Sequence, residues 1–264
     1  MKSVKLILMG AGTVYPIHVG AILRLAEEGY VFSEVSGSSW GSLVAAALGT
    51  GYAANTELTK FVKKTLPSKH SLIQQSYWSL YTKWGTVKTK KLNQFLLDFF
   101  VSNLENMRIP VNFLATDVSD NTIHSFNART DPGMKVATAL SASMSIPMFM
   151  EPAKINGKYY VDGAQASKFP MNILGNTNEV IVLRAESTAN PVVPVSNIKN
   201  YISASVNSWV GSHSSDHIPK EMLPRTIRLK TVRAPFDLSL TDSDVDFMVS
   251  EGYMATDAWL RTNK

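Results

Sequence analysis

The chain has 264 residues, of which 45% are hydrophobic and 18% are charged. This composition excludes a disordered chain and is sufficient for a sizeable core. The sequence contains no cysteine, which excludes disulfides, thiolate metal sites and a cysteine nucleophile. The net charge of +5 permits an anionic partner, but it is too modest to indicate nucleic acid, which we do not expect as a partner.

The N-terminus carries only four apolar residues, 6–9, before Gly10. A signal peptide requires a longer apolar region, and a membrane span requires about 20 apolar residues. We therefore expect a cytoplasmic protein without a signal peptide or a membrane-spanning segment. Repeats, long linkers and low-complexity tracts are absent from the sequence, so we expect one domain over residues 1–264.

The first fifty residues alternate between strand and helix patterns. Apolar runs at residues 5–9 and 31–36 predict strands, and helical periodicity predicts helices at 18–28 and 40–48. This order predicts an α/β fold with a mostly parallel central sheet, helices on both faces and functional loops at the carboxyl ends of the strands.

The rest of the chain continues the same mixture. Further strands are predicted at residues 111–115, 123–126, 180–183 and 226–229, and further helices at 135–143, 197–209 and 243–260. Thr241 precedes the last helix and Asp244 follows three residues later, which predicts a capped helix start with acidic first-turn residues.

Residues 57–98 differ from the rest in composition, because the stretch between Glu57 and Asp98 has no acidic residue. Its lysines are Lys60, Lys63, Lys64, Lys69, Lys83, Lys88, Lys90 and Lys91, and its aromatic residues include Phe61, Tyr77, Trp78, Tyr81 and Trp84. One interpretation is a solvated helical excursion whose aromatic residues pack on the sheet. The other is a peripheral face for an anionic membrane, formed by residues 60–91.

Gly37-Ser38-Ser39-Trp40-Gly41 has the pattern Gly-x-Ser-x-Gly between a predicted strand and a predicted helix. This is the nucleophile-elbow arrangement, in which a serine occupies a sharp turn and small neighbours allow close backbone approach. The following helix places its positive end beneath the serine oxygen. The pattern predicts that Ser39 is a nucleophile, with Gly37 and Gly41 as motif glycines.

The first predicted strand ends in Gly10-Ala11-Gly12-Thr13. A dinucleotide-binding loop would have its third glycine where Tyr15 stands, so that fingerprint is incomplete. Beside a nucleophilic serine, the exposed N–H groups of such a loop serve instead as an oxyanion hole.

A serine nucleophile needs a proton acceptor. A triad in the order Ser, Asp, His would require His213 or His217, which lie in a polar stretch that resembles a surface loop. The alternative acceptor is Asp162, which follows an apolar run and precedes Gly163 at the end of a candidate strand. Both alternatives remain open on this evidence.

Three ordered blocks, Gly10-Ala11-Gly12, Gly37-Ser38-Ser39-Trp40-Gly41 and Asp162-Gly163-Ala164, resemble the patatin-like phospholipases. These are lipid acyl hydrolases with a Ser–Asp dyad. The resemblance implies that Ser39 is the nucleophile, that Asp162 is its base and that phospholipids or other acyl-ester lipids are the substrates. It also implies an oxyanion hole formed by the N–H groups of Gly10, Ala11, Gly12 and Thr13, with that of Trp40 as a further donor.

The sequence departs from the family pattern at the glycine loop and at the elbow. Val14 and Tyr15 stand where the family usually has arginine and glycine, and the arginine generally braces the loop. Trp40 is bulky for the position after the nucleophile, and Ala164 replaces a frequent glycine. We therefore also consider a protein of this fold that binds lipid and turns over weakly or not at all.

The expected reaction requires neither cofactor nor metal, and the sequence shows no cluster of metal ligands. A carboxyl with an ordinary pKa of about 4 is a weak base for a serine hydroxyl. The oxyanion donors must therefore lower much of the barrier, since each contributes roughly 3–4 kcal/mol in comparable sites.

Overall fold

The structure is a computed structural model that describes residues 2–70, 81–87, 89–165, 175, 177–189, 196–197, 200–201, 204–205 and 218–263. Its strands are β1 (Lys2–Leu8), β2 (Tyr30–Ser38), β3 (Gly85–Val87), β4 (Val111–Asp117), β5 (Thr122–Phe126), β6 (Met148–Met150), β7 (Ala153–Ile155), β8 (Lys158–Asp162), β9 (Val180–Ser187) and β10 (Thr226–Thr231). Its helices are α1 (Pro16–Glu27), α2 (Gly41–Thr50), α3 (Thr56–Lys64), α4 (Pro67–His70), α5 (Thr89–Phe99), α6 (Val136–Met144) and α7 (Asp242–Thr262).

The central sheet has the strand order β10-β9-β1-β2-β4-β8-β7, with β5 paired to β4. Strands β10, β9, β1, β2 and β4 run parallel to one another, whereas β5 and β8 are antiparallel to β4, and β7 is antiparallel to β8. The predicted α/β fold with a mostly parallel sheet is confirmed. A smaller sheet pairs β3 with β6.

Strand β1 lies at the centre of the sheet and is buried from both faces. Leu6 and Leu8 belong to the main apolar core, whereas Ile7 packs with Val180 and Val182 in a second cluster. Alternate side chains of a strand point to opposite faces, so a continuous apolar run is needed where both faces are covered.

Helix α7 packs along α1, and two glycines allow the close approach. A Cβ on Gly252 would lie 2.0 Å from the carbonyl oxygen of Ile17, and one on Gly20 would lie 1.9 Å from that of Val249. The predicted start of α7 is confirmed, because Thr241 and Asp244 form a reciprocal capping box.

The basic segment, residues 57–98, is partly described. Phe61 is buried in α3, but Tyr81 and Trp84 are 81% and 57% exposed. Residues 71–80, with Tyr77 and Trp78, and Lys88 lie outside the described residues, as does most of the predicted helix at 197–209. The described helices include none that is long and apolar enough to cross a membrane.

We predict that Gly252→Ala lowers the free energy of unfolding by about 3 kcal/mol, because the new methyl group collides with backbone that cannot move aside cheaply. Urea unfolding followed by circular dichroism measures the change. Gly133→Ala is the matched control, since a Cβ there meets no atom within 4 Å. Equal stability of the two variants would contradict the packing argument.

Candidate active site

Ser39 occupies a tight turn between β2, which ends at Ser38, and α2, which begins at Gly41. Its φ angle is +54°, in the left-handed region that residues with a side chain seldom adopt. Such strain is tolerated when the surroundings fix the conformation, and it is common at functional sites. The strand, turn and helix predicted around Ser39 are present.

The two glycines that flank Ser39 permit this sharp turn. A Cβ on Gly37 would lie 2.4 Å from Ser42 Cα, and one on Gly41 would lie 2.8 Å from the carbonyl oxygens of Leu8 and Met9. Any larger residue would push α2 away from the strand ends.

Asp162 is the last residue of β8, and strand register brings it near Ser39. Ser38 of β2 pairs with Leu114 of β4, and the next residue of β4, Ala115, pairs with Asp162. The strand β4 therefore places the end of β8 beside the end of β2. Gly163 packs closely there, because a Cβ on it would lie 2.1 Å from the Leu114 carbonyl oxygen.

A short segment at the end of α6 holds both residues by their backbones. The N–H of Ser39 donates to the carbonyl of Ser143 at 3.1 Å, and the N–H of Asp162 donates to that of Ser145 at 2.8 Å. The hydroxyl of Ser143 in turn donates to the Leu114 carbonyl at 2.7 Å. Sequence reasoning did not assign a role to these serines, because their contribution is made by main-chain carbonyls that any residue carries.

Asp162 is buried, and its two carboxyl oxygens have different surroundings. Oδ1 accepts a hydrogen bond from the N–H of Ala164 at 2.9 Å. Oδ2 is buried and makes no fully formed hydrogen bond within the described part of the chain. Burial raises the pKa of Asp162 to about 6, although the nearby Ser39 hydroxyl and the Ala164 N–H act in the opposite direction. Asp162 is thus a stronger base than the ordinary carboxyl expected from the sequence.

An ion pair fixes β8 against β4 at the end of β8 opposite to Asp162. Lys158 Nζ donates to Asp117 Oδ2 at 2.7 Å, and the N–H of Ser119 donates to Asp117 Oδ1 at 2.9 Å. The hydrogen bond from Lys158, followed by that from Ser119, lowers the pKa of Asp117. This carboxylate is therefore charged at neutral pH and supports the strand pairing that positions Asp162.

The glycine loop lies against Ser39. A Cβ on Gly10 would lie 3.3 Å from Ser39 Cβ, so a side chain there would crowd the hydroxyl. The N–H groups of Gly10, Ala11, Gly12 and Trp40 make no hydrogen bond within the described part of the chain. Thr13 differs from these four, because its N–H donates to the carbonyl of Pro235 at 2.7 Å. Because of that hydrogen bond, the N–H of Thr13 is not free to stabilise an oxyanion, in contrast to the expectation from the sequence.

No hydrogen bond joins a described histidine to Ser39 or Asp162. His18 lies in α1, fully buried, where burial lowers its pKa to about 3 and leaves the ring neutral. His213 and His217 lie outside the described residues. Across the described ranges, no group of three or more His, Asp or Glu side chains could hold a metal ion.

Comparison with known proteins supplies independent information on the family and the fold. A family model described as "Patatin-like phospholipase" matches residues 6–174. The chain is 23% identical over 231 residues to YqhO, an uncharacterised protein of Bacillus subtilis (strain 168), a match that covers 75% of this chain and 77% of the relative.

Solved structures share the fold at low sequence identity. VipD from Legionella pneumophila superimposes with a TM-score of 0.62 at 15% identity, covering 98% of this chain and 67% of VipD. The type III effector protein ExoU of Pseudomonas aeruginosa superimposes with a TM-score of 0.51 at 14% identity. The match to ExoU covers 100% of this chain but only 53% of ExoU, so this chain spans about half of that protein.

We predict that Asp162→Asn raises the free energy of unfolding at pH 8 by about 3 kcal/mol. This energy corresponds to the rise in the pKa of Asp162 on folding, from 3.8 to about 6. The folded pKa of about 6 is above the ordinary 3.8, so the stability contributed by this group is present below pH 3.8 and is lost as the pH rises through 6. Asparagine lacks this titration. The stabilisation should therefore shrink toward zero as the pH falls to about 4.

Urea unfolding between pH 4 and pH 8 measures this dependence. Asp120→Asn is the control, because Asp120 is exposed and its Oδ1 accepts a hydrogen bond from Thr122 that an asparagine can also accept. A gain in Asp162→Asn that does not change with pH would show that Asp162 is not a destabilised buried carboxyl.

Proposed function

The chain belongs to the patatin-like phospholipase family, and we propose that it hydrolyses acyl ester bonds of phospholipids or related lipids, with Ser39 as nucleophile and Asp162 as base. Family membership supports a lipid acyl hydrolase in general. The dyad and the phospholipase A or lysophospholipase type are our proposal. The observation that carries it is a buried, weakly acidic Asp162 beside Ser39, which is held in a left-handed turn.

In the first step Asp162 Oδ2 accepts the proton of the Ser39 hydroxyl while Oγ attacks the ester carbonyl carbon. The carbon–oxygen bond to the leaving alcohol then breaks, and Asp162 returns the proton to that alcohol. The pKa of about 6 favours this role, because a general base is most effective when its pKa is near the working pH.

The negative charge on the carbonyl oxygen is stabilised by backbone N–H groups. Gly10 lies against Ser39 and is followed in the chain by Ala11 and Gly12, and Trp40 is the next residue after Ser39. All four N–H groups lack a partner within the described part of the chain, so they can bind an oxyanion without breaking another hydrogen bond. The N-terminal end of α2 adds a positive dipole at the same place.

In the second step water attacks the acyl-enzyme. Asp162 accepts a proton from the water, the bond between the acyl carbon and Ser39 Oγ breaks, and the fatty acid leaves while Ser39 regains its proton. The chemistry of both steps uses only groups of the protein, the substrate and water.

We predict that Ser39→Ala abolishes hydrolysis of a soluble short-chain ester and that Asp162→Asn lowers kcat by about 10³-fold or more, as for other general bases. Initial rates with purified variants, together with circular dichroism spectra, measure this. For the wild-type protein, kcat/KM should fall about tenfold per pH unit below pH 6, because protonated Asp162 cannot act as a base. Near-normal turnover of Asp162→Asn with an unchanged fold would contradict the dyad.

Two alternatives make different predictions. An esterase with a histidine base would lose activity when His213 and His217 are both changed to alanine, whereas an enzyme with the Ser–Asp mechanism would not.

A lipid-binding protein without turnover is favoured by one feature: the Thr13 N–H, a proposed oxyanion donor, already donates a hydrogen bond to the Pro235 carbonyl. Fluorophosphonate labelling separates that alternative, because only an activated serine reacts quickly.

We further propose that the basic segment docks the enzyme on an anionic membrane. Lysines 63, 69 and 83 lie near Asp246, Asp242 and Glu151, respectively, so tertiary contacts offset charges that have no acidic neighbour in the sequence. Among the lysines of the segment whose side chains the structure describes, Lys60, Lys64 and Lys90 remain. All three are exposed and have no carboxylate within 4 Å among the described residues, and Lys60 and Lys64 lie one helical turn apart on α3.

Apolar side chains project near the same segment. Trp84 and Met148 are 57% and 48% exposed, and both have positive φ angles, 62° and 63°. Trp84 precedes Gly85 of β3, which pairs with Met148 of β6, and Met148 lies three residues after Ser145, whose carbonyl holds Asp162. Large apolar residues exposed in this way are suited to contact with a lipid interface.

We predict that changing both Lys60 and Lys64 to glutamine weakens binding to vesicles containing phosphatidylserine by roughly tenfold, since each basic residue contributes at most about 1 kcal/mol. Sedimentation of vesicles at low and high salt measures binding. Changing Lys220 and Lys230, which are exposed outside the segment, is the matched control for net charge. Hydrolysis of a soluble ester should not change in either variant.

Binding that responds neither to Lys60 and Lys64 nor to salt would contradict electrostatic docking. Binding that falls equally in the control would show a general charge effect without a specific surface. Trp84→Ala should weaken binding to uncharged vesicles as well, because its contribution is apolar.

A further inference from the structure

Two residues that depart from the family pattern, Tyr15 and Trp40, contact each other. Their rings stack with centroids 5.5 Å apart and planes inclined by 26°. Both side chains are buried in the main core. Neither a glycine at position 15 nor a small residue at position 40 could make this contact, so the two departures are structurally linked.

The stack joins the two chain segments that carry the proposed oxyanion donors. Tyr15 follows directly after the turn formed by Gly12–Val14, and Trp40 follows directly after Ser39. Gly10, Ala11 and Gly12 supply N–H groups from the first segment, and Trp40 supplies one from the second. The separation between these donors therefore depends on how the aromatic rings pack.

The far end of Tyr15 is also fixed. Its hydroxyl lies 3.1 Å from Thr65 Oγ1 and 3.4 Å from the carbonyl oxygen of Val62, at the end of α3. Burial raises the pKa of Tyr15 above its usual range, so the hydroxyl remains neutral. The ring is held at one end by α3 and along its face by Trp40.

The position of the usual bracing arginine is occupied by Val14, which is buried and apolar. Val14 closes the local turn through its N–H, which donates to the Ala11 carbonyl at 3.2 Å. Its side chain cannot form the hydrogen bonds through which a guanidinium would brace a loop. The loop is held without a guanidinium, by the hydrogen bond from the Thr13 N–H to the Pro235 carbonyl at 2.7 Å and by the packing of Tyr15 on Trp40.

We propose that the Tyr15–Trp40 stack is the positioning device of the oxyanion hole and takes the place of the missing arginine. The inference rests on the proposed function and names the residues that adapt the site. Oxyanion donors must lie about 2.7–3.1 Å from the developing charge. Tyr15 is buried and acts as a positioning residue, which sets the distance between the loop and the elbow.

The test compares kinetics of the full chain on a soluble short-chain ester, so that membrane binding does not enter. Tyr15→Leu should lower kcat roughly 10- to 100-fold, the loss expected from donor misplacement on the scale of 1 Å, while KM changes by less than about threefold. Tyr15→Phe keeps the ring and should retain kcat within about twofold. Thr65 remains satisfied in that variant, because its hydroxyl also bonds the carbonyls of Phe61 and Val62 at 3.2 Å.

Phe100→Leu is the matched control for loss of core packing. Phe100 is buried and contacts another ring, that of Phe61, at a centroid distance of 5.8 Å. It should lose stability as Tyr15→Leu does, but its kcat per folded molecule should remain near that of the wild type. Equal kcat values for Tyr15→Leu and Phe100→Leu would overturn the proposal, since Tyr15 would then only fill the core.

A double variant tests whether the two rings act as a unit. If they do, Tyr15→Leu combined with Trp40→Leu should lose little more kcat than the more damaging single change. If the fold-loss of kcat in the double variant equals the product of the two single losses, the residues act independently. That result would contradict a shared positioning role.

Amide hydrogen exchange separates failure of this inference from failure of the proposed function. A wild-type protein without Ser39-dependent turnover would contradict the function. The exchange experiment still tests the stack in that case: the hydrogen-bonded N–H groups of Thr13, Val14, Tyr15 and Ser39 should exchange faster in Tyr15→Leu and not in Phe100→Leu. Unchanged exchange in Tyr15→Leu would overturn the positioning role.

Discussion

The site depends on two backbone hydrogen bonds made by one short segment. The carbonyls of Ser143 and Ser145 accept hydrogen bonds from the N–H groups of Ser39 and Asp162, respectively. Ser39 and Asp162 are 123 positions apart in the chain. The register of β4 adds the second constraint, because it places the ends of β2 and β8 beside each other. Main-chain bonds of this kind fix position without depending on side-chain rotamers, so the serine and the carboxyl are held before any substrate arrives.

The same arrangement stores unfavourable free energy at the residues proposed for chemistry. Ser39 is held at a positive φ, and Asp162 is buried where its charged form is poorly solvated. Residues that strain the fold are tolerated when the rest of the structure fixes them. Close contacts elsewhere, such as those of Gly20 and Gly252 between α1 and α7, are part of that support. A buried carboxyl that destabilises the fold is at the same time a better base.

The departures from the family pattern have a common structural explanation. Val14, Tyr15 and Trp40 replace residues that are usually arginine, glycine and small, and the two aromatic rings pack against each other. An apolar stack inside the core can brace a loop as a charged group does, but it acts through shape and exclusion of water. The lysines of the basic segment, in contrast, lie near the surface, where acidic residues of α7 offset two of them.

The sequence by itself determined the strand, turn and helix around Ser39, the start of α7 at Thr241 and the family, because these follow from local periodicity, capping and glycine spacing. It also indicated Asp162 as a candidate at a strand end. Only the tertiary structure decided the distance-dependent features: the raised pKa of Asp162, the occupation of the Thr13 N–H by Pro235, the contact between Tyr15 and Trp40, and the pairing of Lys63 with Asp246. Desolvation and long-range contacts arise when distant segments meet, and no local pattern of residues records which segments those will be.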